Sequence, residues 1–233
     1  MDKRVANAEA VIGRVKDGAT ILMGAFGTSG VAENLIDALI RQGTKNLTVA
    51  SNNPGIEGYG LGALIGNRQV KKLIASYVGS NKVFEKLALN KEIEMELNPQ
   101  GTLAERMRAG GAGIPAFFTP TGYGTMVAEG HEVREFNGRP HILVPALRGD
   151  FAFVKAWKGD RWGNLVYRKT ARNFNPVVAT AADYVMAEVE ELVELGEIDP
   201  DHVHTPGVFV DAIFQGSNYQ KPMEPGPKRK RGA

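Results

Sequence analysis

A short apolar run, Thr20-Ile-Leu-Met23, opens into a glycine-spaced loop, Gly24-Ala-Phe-Gly-Thr-Ser-Gly30. An amphipathic stretch carrying Val31, Leu35, Ile36, Leu39 and Ile40 follows, and Gly43 sits near its end. These read as a buried strand, a tight turn and a helix with a glycine C-cap. The rhythm repeats. Asn46–Ser51 is a strand before the turn Asn52-Asn-Pro-Gly55, and Leu73–Val78 is a strand before a helix that Asn81 caps and that runs to Leu89. Ile93–Leu97 alternates as a half-exposed strand, ahead of a helix over Thr102–Ala109 stopped by Gly110-Gly111. A first helix is expected over Val5–Val15, ending at Asp17-Gly18. The pattern predicts an α/β fold with a mostly parallel central sheet flanked by helices.

The second half reads differently. His141–Pro145, Phe151–Trp157, Gly163–Tyr167, Tyr184–Val189 and Pro206–Val210 are strand-like, with few helices between them. Additional antiparallel strands on the same sheet are therefore expected there. Without an internal repeat, or a linker before residue 220, the chain is expected to form one domain over 1–220. Residues 221–233 are expected to be a disordered basic tail.

Charge excludes several partners. The formal net charge is +2, but residues 221–233 hold five basic residues against Glu224, which leaves the first 220 residues at −2. A slightly acidic domain lacks the basic face of a nucleic-acid binder. No stretch approaches 18 apolar residues, so no membrane span is expected. Met1-Asp-Lys-Arg4 leads into an amphipathic pattern with no apolar secretory segment, and a soluble, cytoplasmic protein is expected. The absence of cysteine removes disulfides, thiolate metal sites and a cysteine nucleophile.

Glycine is in excess, 28 of 233 residues, and it clusters in loops. The Gly24–Gly30 loop joins a strand to a helix, where backbone N–H groups and a positive helix end meet anions. It matches neither the dinucleotide fingerprint nor a P-loop. Packing of a tight turn explains it equally well. Asn52 and Asn53 end the second strand at the same sheet edge, where their amides could hold a carboxylate or carbonyl; turn chemistry accounts for them more simply. Arg106 and Arg108 either meet an anion near Gly110–Gly113 or lie on a solvated helix face. His202-x-His204 lacks a third ligand and reads as structural, so no metal is expected. Glu188, Glu190, Glu191 and Glu194 read as an exposed face.

Several longer stretches resemble the A subunit of the 3-oxoacid CoA-transferases. They include Gly24-Ala-Phe-Gly27 into Glu33-Asn-Leu-Ile36, Ser51-Asn-Asn-Pro-Gly55, Tyr59-Gly-Leu-Gly62, Ser76-Tyr-Val-Gly79 and Pro99-Gln-Gly-Thr-Leu-Ala-Glu-Arg106. Arg108–Phe117, Thr121–Thr125, Val133–Gly138, Val154–Trp157 and Val166–Pro176 extend the likeness, in order, over about residues 4–215. The loop departs from the usual Gly-Gly-Phe-Gly by Ala25, and Ala32 and Pro54 stand where a Pro and an Ala are usual. These departures surround the acyl pocket the resemblance implies and bear on substrate identity.

The resemblance implies covalent CoA transfer from an acyl-CoA such as succinyl-CoA to a 3-oxo acid, with coenzyme A as substrate and no cofactor. A glutamate attacks the thioester, an acyl-glutamyl anhydride and CoA thiolate form, and the thiolate gives a glutamyl-CoA thioester. That glutamate belongs to a Ser-Glu-Asn-Gly sequence of the B subunit. Here the Glu33-Asn34 pair is followed by Leu35, so no catalytic glutamate is expected in this chain. A heterodimer or heterotetramer with a B subunit is implied. Gly24, Ala25, Phe26 and Gly27 would lie near the reacting centre, and Asn52, Asn53 and Gln100 would contact acyl group or CoA. The alternatives are transfer to another short-chain or dicarboxylic acid, or a non-catalytic acyl-CoA-binding module. A sugar-phosphate isomerase of related fold would need its own acid–base pair.

Overall fold

The computed structural model describes residues 1–79 and 81–222. The strands are β1 (Thr20–Met23), β2 (Leu47–Ala50), β3 (Val70–Ala75), β4 (Glu94–Leu97), β5 (Ala116–Thr119) and β6 (Val133–Phe136). β7 (Arg139–Pro145), β8 (Gly149–Asp160), β9 (Leu165–Val166), β10 (Ala182–Val193) and β11 (Ala212–Gln215) complete them. The α-helices are α1 (Glu9–Ile12), α2 (Glu33–Gln42), α3 (Leu61–Gly66), α4 (Lys82–Leu89), α5 (Gln100–Gly111) and α6 (Asn175–Thr180).

The main sheet runs β11-β10-β8-β1-β2-β3-β4, all parallel, with the short β9 antiparallel on β8. Successive strand residues point to opposite faces, and the core divides accordingly. Ile21, Val49, Leu73 and Phe153 pack with Leu35, Leu39, Leu64 and Phe84 of α2, α3 and α4. Leu22, Ala50, Ile74 and Val154 pack on the other face with Leu103, Met107 and Val178 of α5 and α6. The predicted α/β fold is what forms.

The second half does carry antiparallel strands, but only the short β9 adds to the main sheet in that way. β8 and β10 pair in parallel over 12-residue strands, and β10 pairs in parallel with β11. The antiparallel strands form a separate sheet, β5-β7-β6. The crossover between β8 and β10 passes through the six-residue α6, too short to register as a period in the sequence. Pro206–Val210 is not a strand: Gly207–Phe209 is a 3₁₀ turn, where a Cβ on Gly207 would lie 2.3 Å from the Trp162 carbonyl. The first helix shortens to Glu9–Ile12, and α5 runs on through Gly110 and Gly111.

α2 shows how local chemistry sets an element. Leu35, Ile36 and Leu39 form its buried stripe, and Gly43 ends it at φ 75°, donating to the Leu39 and Ile40 carbonyls. Asn81 caps α4 as expected, accepting the Phe84 N–H at 3.0 Å. Among the described residues no helix is long and apolar enough to cross a membrane. Most of the expected tail, 223–233, lies outside the described residues.

Candidate active site

β1 is the point where the strand order reverses: β2 to β4 build to one side of it and β8, β10 and β11 to the other. The helix after β1 covers one face, and α6, reached from β8, covers the other. In open α/β sheets this divergence leaves a crevice at the strand C-termini. The Gly24–Gly30 loop leaves β1 there.

The loop is a two-residue hairpin. Phe26 and Ser29 exchange both backbone hydrogen bonds at 3.0 Å, with Gly27 at φ 58°. One positive φ at the first central residue marks a type II′ turn, which favours glycine there. The N–H groups of Gly27 and Thr28 donate to no acceptor among the described residues. Phe26 is half exposed at the tip, while Ala25 and Gly27 are buried.

Asn175, fully buried at the start of α6, fixes this loop from behind. Its Oδ1 accepts the Lys155 N–H at 2.8 Å, and its Nδ2 donates to the Gly30 and Ala171 carbonyls at 3.1 and 3.0 Å. Asn173 Nδ2 adds a bond to the Ser29 carbonyl at 2.9 Å. Reading the sequence assigned these asparagines no role. The available signal was their place in Asn173-Phe-Asn-Pro176, where Pro176 starts a helix.

Asn52 and Asn53 are both buried and do the turn chemistry their sequence suggested. Asn53 Oδ1 accepts the Gly55 N–H at 2.9 Å, and its Nδ2 donates to Asn52 Oδ1 at 3.3 Å. Asn52 Nδ2 donates to Ser76 Oγ at 3.1 Å, tying the loop after β2 to the end of β3. The structure brings Gly24, Ala25, Gly27 and Asn53 together around a cavity of about 20 Å³, closed by Tyr59 and Gly60. That space holds about one water and is too small for an acyl group.

Gln100 stands apart. It begins α5 after β4, exposed, on the same edge of the sheet but three strands from β1. At the usual strand spacing this is roughly 14 Å. Between them the half-exposed Tyr77 lies just after β3, its N–H bonded to the Asn52 carbonyl at 3.2 Å. The candidate residues thus form a small cluster and one outlier along one edge.

The other sequence candidates resolve as follows. Arg106 is buried and meets a carboxylate of its own chain: Nη1 lies 2.5 Å from Glu96 Oε1 and 2.8 Å from Asn98 Oδ1, and Nε donates to the Pro145 carbonyl at 2.9 Å. Burial alone would raise the Glu96 carboxyl, but the hydrogen bonds from Lys72 and Arg106 overcome it and hold it at about 2. Arg108 lies on the solvated face, paired with Glu105. His204 is structural: its Nδ1 accepts the Tyr167 N–H at 2.9 Å. The expected exposed acidic face fails at Glu188, which is fully buried because its strand is covered on both faces. The positive end of α2 is also not free for a ligand, since Glu188 takes the Leu35 N–H at 2.9 Å.

Comparison with known proteins supplies the family. Residues 5–216 match the family described as coenzyme A transferase. The chain is 54% identical to the A subunit of succinyl-CoA:3-ketoacid coenzyme A transferase of Helicobacter pylori, over 96% of this chain and 97% of that protein. It is 48% identical to human mitochondrial succinyl-CoA:3-ketoacid coenzyme A transferase 2, over 95% of this chain but only 46% of the human protein. The fold matches an acyl-CoA transferase from Escherichia coli O157:H7, solved as a thioester complex with CoA, at a TM-score of 0.84 and 22% identity, covering 97% of this chain and 49% of that one. A glycine hairpin at the switch point of a parallel sheet, carried by a sequence matched over nearly its whole length, places this chain in the coenzyme A transferase family.

Proposed function

We propose that this chain is the A subunit of a heteromeric CoA-transferase that moves CoA from succinyl-CoA to a 3-keto acid. The observation that carries the reading is the high identity, over almost full length, to a bacterial protein of that name. The human relative is about twice as long, leaving room for a second half within one polypeptide. No Ser-Glu-Asn-Gly sequence occurs here. The nucleophilic glutamate is accordingly assigned to the partner B subunit, and this chain supplies the surface it closes against.

In this reading the partner's glutamate attacks the thioester carbonyl above the glycine hairpin. Charge then develops on the carbonyl oxygen. The Gly27 and Thr28 N–H groups, without an acceptor among the described residues, suit that oxygen, and loss of one such donor typically costs about 10²–10³ in kcat. Phe26 offers an apolar contact to the acyl or pantetheine chain, and Asn53 retains one Nδ2 hydrogen beyond its turn bonds. Gln100, further along the edge, suits the distal carboxylate of a dicarboxylic acyl group. CoA passes from the donor acid to the acceptor acid with no net change, so the exchange calls for no further cofactor.

The test is reconstitution. The purified chain alone should transfer no CoA from succinyl-CoA to acetoacetate, and addition of a B subunit bearing Ser-Glu-Asn-Gly should restore transfer. Turnover by the chain alone, with no partner detectable by mass spectrometry, would overturn the assignment of the glutamate.

A further inference from the structure

β10 carries a carboxyl that the exchange chemistry leaves unused. Glu188 is 0% exposed and sits opposite Lys155 in the β8 register and Phe214 in the β11 register. Its Oε2 accepts the Leu35 N–H in the first turn of α2, and its Oε1 has no partner among the described residues. Lys155 is committed elsewhere: its Nζ reaches Glu190 at 2.8 Å and the Ala156 carbonyl at 3.3 Å, and lies 4.1 Å from the Tyr219 ring centre. Glu33 on α2 is also buried and is turned to the Gln220 and Lys221 N–H groups at 2.7 and 3.2 Å. Tyr59 Oη is buried too, with no hydrogen-bond partner among the described residues.

We infer that Glu188 is a positioning residue for CoA transfer: from the middle of the sheet it holds the first turn of α2, and through that turn the glycine hairpin. The hairpin ends at Gly30, five residues before the Leu35 N–H that Glu188 holds. Asn175 pins the Gly30 carbonyl from one side, and Glu188 pins the helix start from the other. With both grips in place the Gly27 and Thr28 N–H groups keep one direction, which is what a preorganised donor pair requires. The inference rests on the proposed function for its kinetic consequence, not for its geometry.

The buried packing around Glu188 favours the neutral acid. An ionised carboxyl buried without a dedicated cation is costly. Burial pushes Glu188 up to about 8; Glu33 adds to this, while the Leu35 N–H and Lys155 oppose it only in part. The charged or titratable groups around it are Glu33 and Asp37 on α2, Tyr59, Lys155 on β8, Glu190 on β10, and Tyr219 and Lys221 on the closing segment. Ionisation as pH rises through about 8 leaves an incompletely compensated charge in the core, which favours opening of the packing of α2 against β10.

The experiment compares wild type, Glu188→Gln and Glu188→Ala in the complex with the B subunit. Gln keeps shape and acceptor without a charge, whereas Ala removes the grip. Glu188→Gln should hold kcat within threefold at pH 7 and lose the wild-type decline above pH 8. Glu188→Ala should lower kcat at least tenfold with KM for succinyl-CoA within threefold and assembly intact by size exclusion. Wild-type kcat in Glu188→Ala, or an unchanged alkaline decline in Glu188→Gln, would overturn the inference. Amide exchange at Leu35 supplies a readout independent of activity: slow in wild type and Glu188→Gln, fast in Glu188→Ala. If the wild-type complex transfers no CoA, the proposed function fails, while the exchange pattern still decides the grip. Should Glu188→Ala fail to fold, the Glu188→Gln pH profile decides it.

Discussion

Asn175 lies so close over Gly24 that a Cβ at residue 24 would sit 2.0 Å from its Oδ1. The same oxygen accepts the Lys155 N–H, so it cannot withdraw without breaking a bond in β8. Gly24→Ala therefore forces one of two well-packed groups to move. Overpacking of this kind costs about 1–3 kcal/mol, read in thermal unfolding at about 2–4 °C per kcal/mol for a chain of this size. Asn175→Ala should destabilise too, by stranding the Gly30 and Ala171 carbonyls. The double variant should lose less than the sum, because the second change removes what the first collides with. Strict additivity would show that the two positions do not constrain each other.

Gly27→Val tests the hairpin tip. Its φ of 58° is one that a β-branched residue adopts only with strain. The expected result is at least a tenfold fall in kcat/KM of the reconstituted complex, about 1.4 kcal/mol in transition-state stabilisation. A change confined to the site should slow formation of the glutamyl-CoA adduct while sparing assembly. Unchanged kinetics in an assembled Gly27→Val complex would remove the hairpin from the active site.

Much of this was legible in the sequence, and the reasons are particular. β1, the hairpin and α2 were readable because an apolar run, spaced glycines and a 3.6-residue stripe each occupy their own stretch. β8 and β10 were read as strands, but their direction was not readable, because the short α6 between them gives no periodic signal. Glu188 was hidden in Glu188-Val-Glu-Glu191, where three acidic residues suggest a solvated face. Only the packing of α2 across β10 shows that one of them is fully buried. Asn175 was hidden for a related reason: its partners Gly30 and Lys155 lie 145 and 20 residues away in sequence.

The Arg106–Glu96 pair sets a prediction on pH. Glu96 is held near 2, below its ordinary 4.5, so its contribution to stability is complete above about 4.5 and is lost as pH falls through 2. Arg106→Met should remove part of that dependence and leave Asn98 and the Pro145 carbonyl short of a donor. Because Glu96 is a third exposed, solvent screening reduces the loss to about 1–3 kcal/mol at neutral pH. Unfolding midpoints of wild type and variant should converge between pH 4.5 and 2. Parallel curves over that range would mean that Arg106 does not set the Glu96 proton affinity.

The last prediction separates the two kinds of residue along the sheet edge. Gln100 is exposed, and its side chain makes no hydrogen bond among the described residues, so truncation breaks none. Surface substitutions of that kind usually stay within about 0.5 kcal/mol. Gln100→Ala should leave the unfolding midpoint unchanged. If Gln100 meets the distal carboxylate of succinyl-CoA, the variant should still lose kcat/KM for that donor, and lose much less for a donor without the second carboxylate. Asn53→Ala should behave in the opposite order. It deletes the acceptor for the Gly55 N–H and the donor to Asn52 in a buried turn, a loss of about 1–3 kcal/mol. Any kinetic effect of Asn53→Ala should then extend to every donor, since the whole loop beside the hairpin shifts. Equal losses for both donors in Gln100→Ala, with the midpoint unchanged, would show that Gln100 contacts the CoA portion common to them and does not select the acid.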